Sequence, residues 1–254
     1  MSTYLGSKGY TIYKNALTLN ELNTIKKELT VKPYVPKNSM IKVQSFPVFR
    51  ESKKKIYVPR FYGIECYGPP EEIRINDGNE INLDFKGELR DYQKPIVEKF
   101  VKHAKNNGCG LLEIHTGGGK TVLALNIISK LKKKTLIVVH KEFLLRQWVE
   151  RIEQFLPNAK VGKIQGSTID VEDKDIVIGM LQSLSMKEYD KKIFDDFGFT
   201  IFDESHHLLA QVFSKALFKI VTKYMLGLSA TMERKDGLTK VFKMFIGEVV
   251  VKKE

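Results

Sequence analysis

The sequence predicts an α/β protein: a three-layer domain with a mainly parallel sheet between helices, preceded by a small α+β module. Three observations carry that expectation. From Leu89 onward, short apolar segments alternate with stretches of helical periodicity, the pattern of a parallel sheet covered on both faces. Before that point the pattern is short and mixed, with turns signalled by Pro69-Pro70 and Asp77-Gly78. A triple glycine, Gly117-Gly118-Gly119, stands between an expected strand and an expected helix. The boundary is placed so that residues 1–85 form the module and residues 86–254 the larger domain.

In the module, Leu19, Leu22, Ile25 and Leu29 recur at helical spacing, with Thr18 or Asn20 as the cap. Strands are expected over Met40 to Phe49 and Lys55 to Val58, with a polar hairpin turn from Glu51 to Lys54. Tyr57, Arg60, Phe61 and Tyr62 mix aromatic and basic types, which suits base stacking and equally suits an edge packed on the larger domain. In the larger domain a helix is expected from Asp91 to His103, with Pro95 tolerated in its first turn and Asn106-Asn107-Gly108 ending it. Then come a strand at Gly110 to His115, a helix at Gly119 to Leu131 and a strand at Leu136 to Val139. An amphipathic helix follows at Glu142 to Phe155, with strands at Asp175 to Ile178, Phe199 to Phe202 and Tyr224 to Leu228.

Composition narrows the class. The chain has 254 residues, 43% of them hydrophobic, enough to bury a substantial core. No apolar run approaches a membrane span, and the first residues lack a signal peptide's apolar stretch. The two cysteines, Cys66 and Cys109, build no disulfide framework and read as structural thiols in a reducing compartment. A formal net charge of +12 favours a polyanionic partner such as nucleic acid, although lysines also serve solubility.

The chemistry concentrates in two segments. His115-Thr116-Gly117-Gly118-Gly119-Lys120-Thr121 joins strand to helix as a phosphate loop does: glycines curl the backbone so that N–H groups face an anion at the positive pole of the helix. Lys120 is then placed to bridge the β- and γ-phosphates of ATP, and the Thr121 hydroxyl to bind Mg²⁺. Ile114 stands where the general pattern asks for glycine. Asp203-Glu204 follows the strand Phe199 to Phe202, at the carboxyl end where open sheets bind ligands. There Asp203 is a Mg²⁺ partner through water and Glu204 a general base for the attacking water. By itself this acidic pair reads as a helix cap or solvated turn more often than as a catalytic pair; the phosphate loop upstream is what favours chemistry.

These segments resemble superfamily 2 helicases of the DExH type, and the resemblance covers about Lys86 to Glu254. Leu89-Arg90-Asp91-Tyr92-Gln93 looks like the family's adenine-reading segment, with Gln93 bonding the base and Arg90 packing on it. His115 to Thr121 is similar to motif I, Asp203 to His206 to motif II and Ser229-Ala230-Thr231 to motif III. Apolar residues are common in this family at the position of Ile114. The resemblance implies that His206, Ser229 and Thr231 couple nucleotide state to movement. It also implies that His140 and Lys141 in one segment, and Gln182 and Ser183 in another, touch a sugar–phosphate backbone. Both of those segments also read as ordinary strand-to-helix turns.

A narrower likeness, through Lys32 to Pro36, Ile56 to Gly63 and Ser229 to Leu238, is to the DNA helicases of poxviruses and giant DNA viruses that act in transcription. It implies a viral origin and a non-secreted, cytoplasmic setting such as a viral factory or the virion. Arg234 and Lys235 in that stretch suit nucleic-acid contact or a solvated loop.

The resemblance implies a RecA-like phosphate-loop NTPase fold, ATP and Mg²⁺ as cofactors, nucleic acid (DNA favoured) as partner, and no membrane. The sequence shows no second RecA-like domain, so the chain is expected to be an N-terminal piece or one half of a split motor, with its partner domain supplied in cis or trans. On its own it is expected to bind Mg·ATP weakly and turn it over very slowly. The competing expectation is a module that binds nucleic acid or a partner without turnover.

Overall fold

A computed structural model describes residues 2–34, 44–203, 210–231, 233 and 237–253. The N-terminal part opens with a hairpin of β1 (Thr3–Gly6) and β2 (Gly9–Tyr13). Helix α1 (Leu19–Glu28) begins at a capping box: the Thr18 hydroxyl accepts from the Glu21 N–H, and the Glu21 carboxylate accepts from the Thr18 N–H. After β3 (Thr30–Val31), β4 (Phe46–Pro47) and β5 (Arg50–Glu51) comes β6 (Lys55–Val58), then α2 (Arg60–Tyr67). The order β1-β2-β6-β5 makes a small antiparallel sheet, and β3 pairs with β4.

The larger part alternates as expected: α3 (Gln93–Asn107), β7 (Cys109–Ile114), α4 (Lys120–Leu131), β8 (Thr135–Val139) and α5 (Glu142–Phe155). Next come β9 (Val161–Gln165), β10 (Thr168–Ile169), β11 (Ile176–Met180), α6 (Leu181–Met186) and α7 (Lys192–Asp195). The described elements end with β12 (Phe199–Phe202), α8 (Ala210–Leu217), β13 (Tyr224–Ser229), α9 (Thr239–Ile246) and β14 (Val249–Lys253). The sheet order is β10-β9-β11-β8-β12-β13-β7-β14, parallel throughout except for the β9–β10 hairpin.

Strand periodicity divides the core into two layers. Leu136 and Val138 of β8 face one layer and Ile137 and Val139 the other, the period-2 alternation of a sheet buried on both sides. The second layer packs α3, α4 and α5 through Phe100, Leu125 and Trp148. The first packs α6, α8 and α9, where Phe213 stacks on Phe242 at 4.1 Å between centroids. That layer continues into the N-terminal part through Tyr10, Ile12, Ile25 and Val58. Together these chains of contact make one continuous apolar body on that face.

Several expectations shift in position. The strand expected from Met40 to Phe49 is paired only at Phe46–Pro47 among the described residues; 40–43 lie outside them. Pro47 stands opposite Thr30 where its missing N–H is not called on, because the flanking bond comes from the Val48 N–H to the Leu29 carbonyl at 2.7 Å. Arg50 and Glu51 pair with β6, so the turn occupies 52–54 rather than starting at Glu51. Helix α3 begins at Gln93, not Asp91, because the Gln93 N–H turns back to the Arg90 carbonyl.

The aromatic–basic cluster is a packed edge. Tyr57 and Tyr62 are buried, and the Tyr62 hydroxyl donates to the Glu28 carboxylate. Arg60 donates to the Lys223 carbonyl at 3.3 Å and to Cys109 Sγ at 3.2 Å, fastening α2 to the large sheet. Burial pushes the Cys109 thiol up, which keeps it protonated and inert. Residues 79–86 also lie on the larger domain: the Ile81 N–H donates to Lys132, the Lys134 N–H to Asn79, and the Lys86 N–H to Phe155. Among the described residues no helix is long and apolar enough to cross a membrane.

Candidate nucleotide-binding site

Strand register decides which residues meet. Parallel pairing sets Val138 beside Gly179 on one side and Phe202 on the other, Phe202 beside Gly227, and Ser229 beside Glu113. The carboxyl ends of β7, β8, β11, β12 and β13 therefore open on one edge. Along it lie the phosphate-loop segment, His140 and Lys141, Gln182 and Ser183, Asp203, and Ser229 with Thr231. Open α/β sheets bind ligands at this edge.

The loop between β7 and α4 has the backbone that an anion cradle needs. Gly117 and Gly119 adopt left-handed conformations, with φ of 83° and 78°, which L side chains rarely take. The Gly118 N–H donates to the His115 carbonyl at 3.0 Å, which closes the turn. No atom stands within 4 Å of the position a side chain on Gly117 would take, whereas a Cβ on Gly119 would collide with the Gln93 amide. His115, Thr116 and Gly117 are exposed, and Lys120 and Thr121 are half-buried in the first turn of α4. An open, glycine-only turn at the positive pole of a twelve-residue helix, with a lysine and a hydroxyl beside it, fits a polyphosphate. His115 is tied down by its own N–H, which donates to the Lys253 carbonyl of β14 at 3.2 Å, and Nδ1 sits 2.9 Å from the Thr116 carbonyl.

Gln93 turns inward. Its side-chain carbonyl accepts the Arg90 N–H at 3.0 Å, and its Nε2 donates to the Gly118 carbonyl at 3.3 Å. The Tyr92 hydroxyl donates to the same carbonyl at 3.2 Å. Arg90 is exposed and reaches the Tyr92 hydroxyl at 3.3 Å. The segment expected to read adenine is thus bonded directly to the phosphate loop. Tyr92, which sequence reasoning passed over, is part of that bond set.

Asp203 directly follows β12 and is buried. Its backbone N–H donates to the Val138 carbonyl at 3.1 Å, and its Oδ2 accepts the indole N–H of Trp148 at 2.8 Å. Sequence reasoning missed Trp148; its only signal was a tryptophan on the inner stripe of α5, four residues from both Leu144 and Ile152. A hydroxyl at the start of α4 and a carboxylate on the same sheet edge form a hard oxygen donor set that suits Mg²⁺.

Ser229 is buried at the end of β13, and its hydroxyl donates to the Thr231 carbonyl. Thr231 is exposed, and its Oγ1 accepts the Glu233 N–H at 3.3 Å. On the far half of the edge the Gln182 amide donates to the His140 carbonyl at 3.0 Å, joining the two segments expected to meet nucleic acid. Ser183 Oγ accepts the Gly166 N–H at 2.9 Å, so it also holds the β9–β10 turn. Lys141 is exposed at the start of α5, 5.8 Å from the Phe143 ring centroid. Glu204, His206, Arg234 and Lys235 lie outside the described residues.

A doubly covered parallel sheet with a phosphate loop after one strand and an aspartate after another, one strand apart, is the arrangement of a RecA-like phosphate-loop domain. The chain belongs to the family described as type III restriction enzyme, res subunit, whose model matches residues 86–234. It is 36% identical over 249 residues to a protein of Acanthamoeba polyphaga mimivirus named as an ATP-dependent RNA helicase, L396, covering 95% of this chain and 47% of that protein. It is 33% identical over 205 residues to the DNA 3'-5' translocase XPB2 of Sulfurisphaera tokodaii, covering 76% of this chain and 43% of the translocase. The chain thus spans about half the length of these curated relatives. The UvsW helicase of bacteriophage T4 shares the fold with a TM-score of 0.65 at 16% identity, each chain covered fully.

Proposed function

We propose that this chain is the ATP-binding and hydrolysing half of a nucleic-acid helicase or translocase, DNA in preference to RNA, that works with a second RecA-like domain in cis or trans. The observation that carries it is the open glycine loop and the buried Asp203 on one edge of one sheet. In this reading residues 86–254 form the motor domain and residues 1–85 a module that steadies it and engages nucleic acid at its outer surface.

Loop N–H groups and Lys120 bind the β- and γ-phosphates, while Gln93 and Arg90 hold the adenine and report its presence to the loop through Gly118. Thr121 and Asp203 would hold Mg²⁺, which when bound would supply positive charge against the phosphates. Glu204 takes the proton of the attacking water, and an arginine from the second domain completes the cleft. His206, Ser229 and Thr231 pass nucleotide state to the far half of the edge, where His140, Lys141, Gln182 and Ser183 meet the sugar–phosphate backbone. Support for a nucleic-acid partner comes from the net charge of +12. Support for DNA comes from the translocase relative; the mimivirus relative's name favours RNA.

ATP turnover by the 254-residue chain, measured with and without single-stranded DNA or RNA and with the second domain added, tests this. The expected result is slow basal turnover that rises when the second domain and DNA are both present. Turnover that responds to neither nucleic acid contradicts the motor reading, and a response to RNA alone contradicts the preference for DNA.

A further inference from the structure

Trp148 is the chain's single tryptophan, 2% exposed, and the residue it meets lies 55 positions away. Packing alone does not call for it: Leu144 and Ile152 on the same stripe of α5 are aliphatic. An indole adds one thing to such a stripe, an N–H that can only donate. Buried, it must find an acceptor, and the one it finds is Asp203 Oδ2 at 2.8 Å. The Asp203 backbone is pinned separately, by its N–H to Val138. Main chain and carboxylate are therefore fixed from two different elements, β8 and α5.

We propose that Trp148 is a positioning residue for the Mg²⁺-side carboxylate, holding Asp203 through Oδ2 in the orientation that receives the metal's water shell. The proposal rests on the reading of Asp203 given above. A charge-assisted N–H···O bond in a water-poor site fixes the rotamer. A carboxylate already oriented loses little freedom when metal arrives, and outer partners of metal-binding groups typically contribute about 10- to 100-fold in metal affinity. The indole cannot exchange its donor role, so the orientation it imposes is single-valued.

The test uses the whole chain and two readouts besides turnover. With one tryptophan, the indole N–H gives one side-chain nitrogen–proton NMR peak that identifies itself. Asp203→Asn is expected to move that peak upfield, since an amide carbonyl deshields less than a carboxylate. Mg²⁺ with adenylyl imidodiphosphate is expected to move it in the wild-type chain. In Trp148→Phe, the gain in nucleotide affinity on adding Mg²⁺ is expected to shrink about ten-fold, with metal-free affinity preserved within about two-fold. A peak unmoved by Asp203→Asn, undiminished Mg²⁺ dependence in Trp148→Phe, or equal loss with and without metal each contradicts the positioning role. Should Trp148→Phe fail to fold, the wild-type peak decides: a shift on adding Mg²⁺ to the chain with bound adenylyl imidodiphosphate supports the role, and no shift contradicts it. A wild-type chain that binds no nucleotide at all breaks the ATP reading itself and the positioning role with it. A chain that binds nucleotide but shows none of these effects breaks the positioning role only.

Discussion

The two halves of the cleft are built in opposite ways. The phosphate half is local in its backbone: strand, three glycines and helix follow one another, the turn closes on itself from Gly118 to His115, and Gln93, Tyr92 and Lys253 only brace it from outside. The acidic half is assembled from afar: Asp203 owes its backbone position to β8 and its side-chain position to α5. The difference teaches where each half is vulnerable. A local turn fails through its own backbone and charge; an assembled site fails through a neighbour that never touches ligand.

Predictions follow that division in order of expected effect. Gly119→Ala strikes the local half hardest, since it adds a left-handed penalty of about 1–2 kcal/mol to a collision with the Gln93 amide. Isothermal titration should find nucleotide binding lost with the melting temperature lowered; unaltered affinity would show that the left-handed turn is dispensable. Gln93→Ala comes next. It leaves the Arg90 N–H without its acceptor and the Gly118 carbonyl with Tyr92 as its remaining donor, at a cost of about 1–3 kcal/mol, which weakens nucleotide affinity roughly ten-fold. If affinity for ADP holds while only adenine over guanine selectivity falls, Gln93 reads the base and does not brace the loop. Tyr92→Phe is the mildest, removing one of two donors to the Gly118 carbonyl. A loss of about 1 kcal/mol in denaturant unfolding is expected, with a two- to five-fold change in affinity.

The same division explains what the sequence discloses. Helix α5 and strand β12 have the bounds their periodicity predicts, Glu142–Phe155 and Phe199–Phe202, because an apolar stripe is written within a few residues. The phosphate loop is legible for the same reason. The β1–β2 hairpin was missed although Gly6 and Gly9 bracket it between Tyr4-Leu5 and Tyr10, a turn signal within reach. The β9–β10 hairpin turns at Gly166, with too little alternation in Val161–Gln165 to announce a strand. The run Val249-Val250-Val251 was visible, but nothing local says that it pairs with β7 and reaches His115. Arg60 and Trp148 look like a surface cation and a core aromatic; their partners, Lys223 and Asp203, lie far along the chain, and only the fold brings them together.

The central claim is that the glycine loop and Lys120 bind the phosphates of ATP. Titrating a fluorescent ATP analogue with Mg²⁺ into the wild-type chain and Lys120→Ala tests it most directly. Losing a charge-assisted phosphate contact is expected to remove about 2–3 kcal/mol, or roughly 100-fold in affinity, with the fold intact by circular dichroism. Equal affinity in the two chains would contradict the account.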